Sequence, residues 1–217
     1  MPLYDENKSK KKPFINYSLI VINVLIFLWQ FLNGMDYRLI LNFGEIPYLI
    51  LGGKRLYTLI TSMFLHADFT HIISNMYYLF IFGDNVEDMF GHVRYLILYL
   101  IFGVIGGLVH SLIAVYFQPW DLYIPSIGAS GAISGILGAY LVLFPRARIV
   151  SAVFVYYIIR IVRVPALFFI GFWFILQLLM SGFQTGVAYW AHIGGFLAGF
   201  VAAGIYKLGR PERYYLY

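Results

Sequence analysis

Cysteine is absent from the 217 residues, which excludes disulfides and thiolate chemistry. Charge is scarce as well: Asp, Glu, Lys and Arg make up 12% of the chain against 61% hydrophobic residues. With a mean hydropathy of +0.79, a soluble domain of this length would aggregate, so a soluble class is excluded. The formal net charge of +5 does not mark a nucleic-acid binder, because the basic residues are spread over the ends of apolar runs and not gathered on one face. Also missing are an HExxH pattern, an internal repeat, a low-complexity tract and a separate soluble domain. What is present is a polytopic membrane protein folded as one unit.

Six apolar runs carry that reading. The first, Phe14 to Leu32, follows Lys8, Lys10, Lys11 and Lys12. It has 19 residues, enough to span, and no small-x-small cleavage pattern follows, so a retained helix is expected in place of a signal peptide. The others are His71 to Met89, Tyr95 to Phe117, Gly131 to Pro145-Arg146, Pro165 to Ser181 and Tyr189 to Lys207. With the N-terminus inside, the inner segments hold 12 Lys and Arg residues and the outer ones hold three, Arg38, Lys54 and Arg55. That asymmetry satisfies the positive-inside rule. The expected class is therefore all-α, with a basic cytoplasmic segment at 1–13, a six-helix membrane domain at 14–207 and a short cytoplasmic tail at 208–217. The setting is the cell membrane, with both termini cytoplasmic.

Three segments need separate treatment. Ile149 to Ile159 is mostly apolar, but at eleven residues between Arg148 and Arg160 it is too short to cross, and it is placed on the inner side. Residues 34–70 form a long, largely apolar outer loop interrupted by Gly34, Gly44, Gly52 and Gly53, expected to lie on or in the outer leaflet. The segment 118–129, with Pro119, Trp120, Asp121 and Pro125, cannot be helical throughout and returns the chain to the membrane at Ser130.

Ser130 opens the fourth run within Gly128-Ala129-Ser130-Gly131-Ala132-Ile133-Ser134-Gly135. A serine in the first turn of a helix, flanked by small residues, is open to close approach, and free N–H groups there can face a developing oxyanion. Tight helix packing in lipid is the competing reading, which Gly131, Gly135 and Gly138 also fit. His192 lies in Ala191-His192-Ile193-Gly194-Gly195-Phe196-Leu197-Ala198-Gly199, with positions 192, 195 and 199 on one helical face. An intramembrane histidine is costly, and a packing hydrogen bond is its bland explanation. Depth joins the two residues. From Ser130 to Arg146 is 16 residues and from His192 to Lys207 is 15, so both stand roughly 22–24 Å above the basic end. Serine needs a base, and neutral imidazole is the usual one.

His66, His71 and Asn75 form a third group at the outer end of the second run. His71 and Asn75 share a face, and counting to Glu87 sets them at ~24 and ~18 Å, near the level of the serine and histidine. Donors there suit an oxyanion site. A metal site built from histidines 66, 71 and 192 is the alternative, disfavoured because no acid with ligand spacing accompanies them, and Asp68 is the only nearby acid. No metal or cofactor is expected.

Taken in order, His71-x-x-x-Asn75, Gly128-x-Ser130-Gly131 and Ala191-His192-x-x-Gly195 resemble the three signature elements of the rhomboid family of intramembrane serine proteases, in its prokaryotic six-helix form. Gly83-x-x-x-Glu87-x-x-x-Gly91 is similar to the family's structural motif after the second span, and Arg55 with Thr61 to His66 is similar to its first-loop element. The likeness covers about residues 40–205; each motif alone is weak, and the ordered set is specific. The resemblance implies a Ser130–His192 dyad without a carboxylate. It also implies an oxyanion hole from the Ser130 N–H, His71 and Asn75. His66, Arg55, Glu87, Gly128, Gly131, Ser134, Gly195 and Gly199 are the expected supporting residues. Two positions depart from the pattern. Lys54 stands where many members have a tryptophan, and Ser134 where some have a tyrosine packed on the catalytic histidine. Ser134 is the candidate to replace that tyrosine as a hydrogen-bonding partner of His192.

The expected activity is acyl transfer to water at a site opening to the extracytoplasmic side, lined by His66, His71, Asn75 and Ser130. The expected partners are membrane lipid and transmembrane-helix protein substrates that unwind near their outer ends. Such a substrate would enter beside the fifth run, where Phe168, Phe169, Phe172, Trp173 and Phe174 form a gate or simply face lipid. Two rival classes remain. A non-catalytic relative that binds membrane helices would be expected to lack the serine or the histidine. A transporter would spread its polar residues along a route, where here they cluster near one face.

Overall fold

The computed structural model describes residues 1–155 and 157–209; Arg210, Arg213 and the rest of the expected tail beyond 209 lie outside the described residues. Each of the six apolar runs is helical: α1 (Phe14–Leu32), α5 (Phe69–Phe90), α6 (His92–Tyr116), α7 (Ser130–Leu143), α8 (Ala166–Met180) and α9 (Tyr189–Leu208). Three of them, α1, α6 and α9, are long and apolar enough to cross a membrane by length and composition.

The inward stripe of α1 is Asn16, Leu19, Asn23, Phe27 and Gln30, spaced three or four apart as one helical face requires. Three of these five are polar, and two of them tie α1 to its neighbours. Asn16 donates to the Leu79 carbonyl at 3.1 Å and accepts from the Tyr95 hydroxyl at 2.7 Å. Gln30 accepts from the His66 N–H at 3.1 Å. In a low-dielectric interior such bonds substitute for the hydrophobic drive that lipid cannot supply. At its N-terminus, the α1 amides of Ile15 and Asn16 donate to the Glu87 carboxylate at 3.0 and 2.7 Å, and His92 closes on the same carboxylate. Glu87 thus satisfies helix-end N–H groups that have no partner within their own helix.

The centre is the pair α7 and α9. A Cβ at Gly199 would meet the Gly135 carbonyl, one at Gly195 the Gly131 carbonyl, and one at Gly138 the Phe196 carbonyl. Only hydrogen at these positions lets the two backbones touch, and that contact sets Ser130 opposite His192.

The chain is mostly helical, and the all-α expectation is corrected by a three-stranded antiparallel sheet in the order β1-β2-β3. Its strands are β1 (Pro2–Asp5), β2 (Arg148–Val155) and β3 (Ile158–Pro165). The run from Ile149 is strand because Ile149, Val150, Val153, Ile158, Ile159, Ile161, Val162 and Val164 are β-branched. At the base of the hairpin Ile149, Val150 and Ser151 are all buried, so both faces are covered and the alternation that marks a strand is missing. The expected N-terminal segment 1–13 supplies β1, which pairs Pro2 with Ser151 and Asp5 with Ile149.

Residues 34–70 are also more ordered than a glycine-broken loop. They contain α2 (Tyr37–Phe43), α3 (Pro47–Leu51), α4 (Thr58–Thr61) and a 3-10 turn at Ser62–Phe64. The last carbonyls of α2 are capped from across the loop: Arg55 donates to Leu41 at 2.9 Å, Tyr57 to Asn42 at 3.0 Å and Thr61 to Phe43 at 2.7 Å. The arginine therefore ties the first loop to α2, with Lys54 as its neighbour in sequence.

Candidate active site

Ser130 is the first residue of α7, where the N–H groups of the opening turn have no acceptor one turn earlier. The approach to it is fixed by three backbone bonds. Glu45 and Ser126 exchange N–H···O bonds at 3.0 and 2.7 Å, and the Gly128 N–H donates to the Ser62 carbonyl at 2.9 Å. Gly128 has φ +124°, a conformation open to glycine and strained for other residues.

The Ser130 Oγ lies 2.8 Å from the His192 Nε2, which brings together the two residues that share a height in the sequence reading. On the far side of the ring, His192 Nδ1 lies 2.8 Å from the Gln177 Oε1 of α8. Trp173 and Tyr189 flank the imidazole, with ring centroids at 6.2 and 6.3 Å. Ser134 does not fill the place expected for it: its hydroxyl donates to the Ser130 carbonyl at 2.6 Å, one turn back on its own helix. A serine in a helix interior has that acceptor within reach of its short side chain, and the imidazole is not its partner.

His71 and Asn75 stand beside this pair. Asp68 caps α5, accepting from the His71 N–H at 2.8 Å, and so acts on the helix end. The His71 Nδ1 accepts from the Ala67 N–H at 3.3 Å, which in a neutral ring leaves the proton on Nε2. That Nε2 faces the serine's loop: a Cβ at Gly128 would lie 2.6 Å from it and 3.7 Å from the Asn75 Nδ2. The buried Asn75 Nδ2 has no hydrogen-bond partner among the described residues. Two N–H donors thus converge on the stretch of backbone that leads into Ser130, as an oxyanion site needs.

A cavity of about 820 Å³ opens over these groups, with His71, Asn75, Ser130, Trp173 and His192 in its wall. His110 of α6 also lines it, a residue that the sequence reading passed over. His66 is not in the wall. It is fully buried behind His71, with ring centroids 5.0 Å apart, and burial, followed by the nearness of His71, lowers its pKa to about 3. Both of its ring nitrogens are buried without a hydrogen-bond partner among the described residues. Glu45 is likewise buried, its carboxyl against Gly107 and hydrogen-bonded by Ser111 at 2.8 Å; burial raises its pKa to about 7.

The five aromatics of α8 divide between two roles. Phe168 and Phe172 point outward, whereas Phe169 packs on Phe82, Phe174 stacks on Phe196 at 4.1 Å, and Trp173 walls the cavity. Gln177 escaped the sequence reading. The signal was available, since it is the single amide in the otherwise apolar stretch from Ala166 to Met180.

A family model described as the Rhomboid domain matches residues 53–208. Among curated proteins, the chain is 35% identical over 164 residues to RHOMBOID-like protein 6, mitochondrial, of Arabidopsis thaliana, covering 75% of this chain and 47% of that protein. It is 30% identical over 205 residues to rhomboid protease GluP of Bacillus subtilis, covering 93% of this chain and 36% of that one. To putative rhomboid protease YdcA of the same bacterium it is 33% identical over 159 residues, covering 72% and 70%. The chain spans less than half the length of the first two relatives.

Proposed function

The chain belongs to the rhomboid family, and from that premise we propose that it is an intramembrane serine endopeptidase cutting peptide bonds in or near transmembrane helices. One observation carries the reading: Ser130 Oγ lies 2.8 Å from the His192 Nε2 at the wall of a cavity. In the proposed reaction Nε2 takes the hydroxyl proton and Oγ bonds to the substrate carbonyl carbon. The Ser130 N–H, His71 Nε2–H and Asn75 Nδ2–H hold the oxyanion. The imidazolium then returns its proton to the leaving amine and the C–N bond breaks, leaving an acyl-enzyme. Water entering from the extracytoplasmic side attacks the ester with His192 again as base, which frees the acid and restores the serine.

The helices of the six apolar runs are taken as six crossings with both termini cytoplasmic. The substrate is a membrane-protein helix admitted laterally between α5 and α8, whose Tyr78 and Trp173 face the cavity from its two sides. It must unwind locally, because a carbonyl held in a helix is shielded from attack.

The experiment compares purified wild type, Ser130→Ala and His192→Ala with a fluorophosphonate probe and a panel of transmembrane substrates. Ser130→Ala is expected to lose both labelling and cleavage, and His192→Ala to lose turnover. Equal labelling and cleavage by wild type and Ser130→Ala would remove the serine-protease reading, and cleavage by neither would leave a non-catalytic relative that binds membrane helices.

A further inference from the structure

Gln177 is buried on an almost wholly apolar helix, between the exposed Leu176 and Leu178. An amide placed there without partners would be costly, because nothing in those apolar surroundings replaces its hydrogen bonds to water. Both ends are engaged. The Nε2 donates to the Trp173 carbonyl one turn back at 3.3 Å, and the Oε1 meets the His192 Nδ1 at 2.8 Å.

The first bond decides the sense of the second. Because the amide nitrogen donates to a carbonyl, the oxygen is the atom facing the imidazole, and an amide oxygen only accepts. The proton of a neutral His192 therefore sits on Nδ1, and Nε2 presents its lone pair to the Ser130 hydroxyl. In the other tautomer the Nδ1 lone pair would face the amide oxygen, and an Nε2–H would point at a hydroxyl whose proton it must remove.

We propose that Gln177 is the positioning residue of the dyad, holding the tautomer and ring plane of His192 and steadying the imidazolium formed when the serine loses its proton. This rests on the Ser130–His192 reading above. The amide does for the ring what a carboxylate does in a three-membered triad, without bringing a charge into the apolar surroundings of α8. Ser134 cannot serve, since its hydroxyl is spent on the Ser130 carbonyl. The Trp173 ring beside the imidazole comes from the preceding turn of α8, so one helix supplies both the ring contact and the hydrogen bond.

The test uses the full chain in detergent with Ser130→Ala, Gln177→Met and Gln177→Glu. Methionine keeps the length and burial of the side chain and removes the strong acceptor. Gln177→Met is expected to unfold at the wild-type temperature and to lose about 10²-fold in kcat, at the lower end of what base assistance contributes, with KM within about twofold. Gln177→Glu is expected to stay active, with the acidic limb of its kcat/KM profile about one pH unit higher, because a carboxylate favours the charged ring. A structural role alone would not move that limb. Gln177→Met at the wild-type rate, or both variants with the wild-type pH profile, would overturn the assignment while an inactive Ser130→Ala kept the dyad. An active Ser130→Ala would remove the dyad and Gln177's role together.

Discussion

The hydrogen atoms of Gly195 and Gly199 stand where any larger group would run into the carbonyls of Gly131 and Gly135. A backbone oxygen cannot rotate away as a side chain does, so relief requires α7 and α9 to move apart and Ser130 to leave His192. Gly199→Ala is expected to cost about 3 kcal/mol, the upper end of overpacking, and to lower the thermal midpoint measurably in detergent. Gly204, on the same helix, has open space at its Cβ position. Gly204→Ala is expected to be neutral or to stabilise by up to ~1 kcal/mol through helix propensity. Equal losses from the two would mean that the close approach is not the cause. At this scale the serine and histidine were legible, because polar groups among small residues inside apolar runs stand out. Gln177 stands out in the same way as the lone amide of an apolar run, but what it does there depends on its partner on α9, which the sequence does not show. The role first given to Ser134 failed for a local reason, the carbonyl one turn back.

Among the elements, β1 is held by more than its ladder. The Asp5 carboxylate accepts from the Tyr140 hydroxyl at 2.6 Å and the Asn85 amide at 2.7 Å. Burial raises the Asp5 pKa to about 7, the Tyr140 bond working against it and Asp84 with it. A carboxyl whose pKa is higher when docked than its usual 3.8 favours docking most when protonated. That contribution is complete below about pH 4 and lost as the pH rises through about 7. Amide hydrogen exchange at Leu3 and Tyr4 should therefore quicken, beyond the intrinsic base catalysis, between pH 5 and about 8. Asp5→Asn should flatten the change; an unchanged pH response in that variant would assign it to another group. The exposed Arg163–Glu6 pair adds little to this docking. The strands were hidden in the sequence because apolar residues on both faces of a hairpin erase its alternation. The short helices α2 and α3 were hidden because 7 and 5 residues are too few to show a period.

For the whole molecule, the placing of the helices followed from run length, while the sheet and the ordered first loop depend on contacts distant in sequence. The lack of native cysteine makes the proposed orientation open to a direct measurement. Lys54 and Arg160 are both exposed, one in the first loop and one on β3. In intact cells an impermeant maleimide is expected to label Lys54→Cys, and to label Arg160→Cys only after the membrane is permeabilised. The reverse pattern would turn the cavity toward the cytoplasm. The pairing of Pro2 with Ser151 also fixes an order of events during synthesis. The β1 segment has no strand to join until β2 is made, roughly seven to thirty seconds later at about 5–20 residues per second. Through that interval it has no strand to pair with, and its capture by β2 can come only after α1, α5, α6 and α7 have been made.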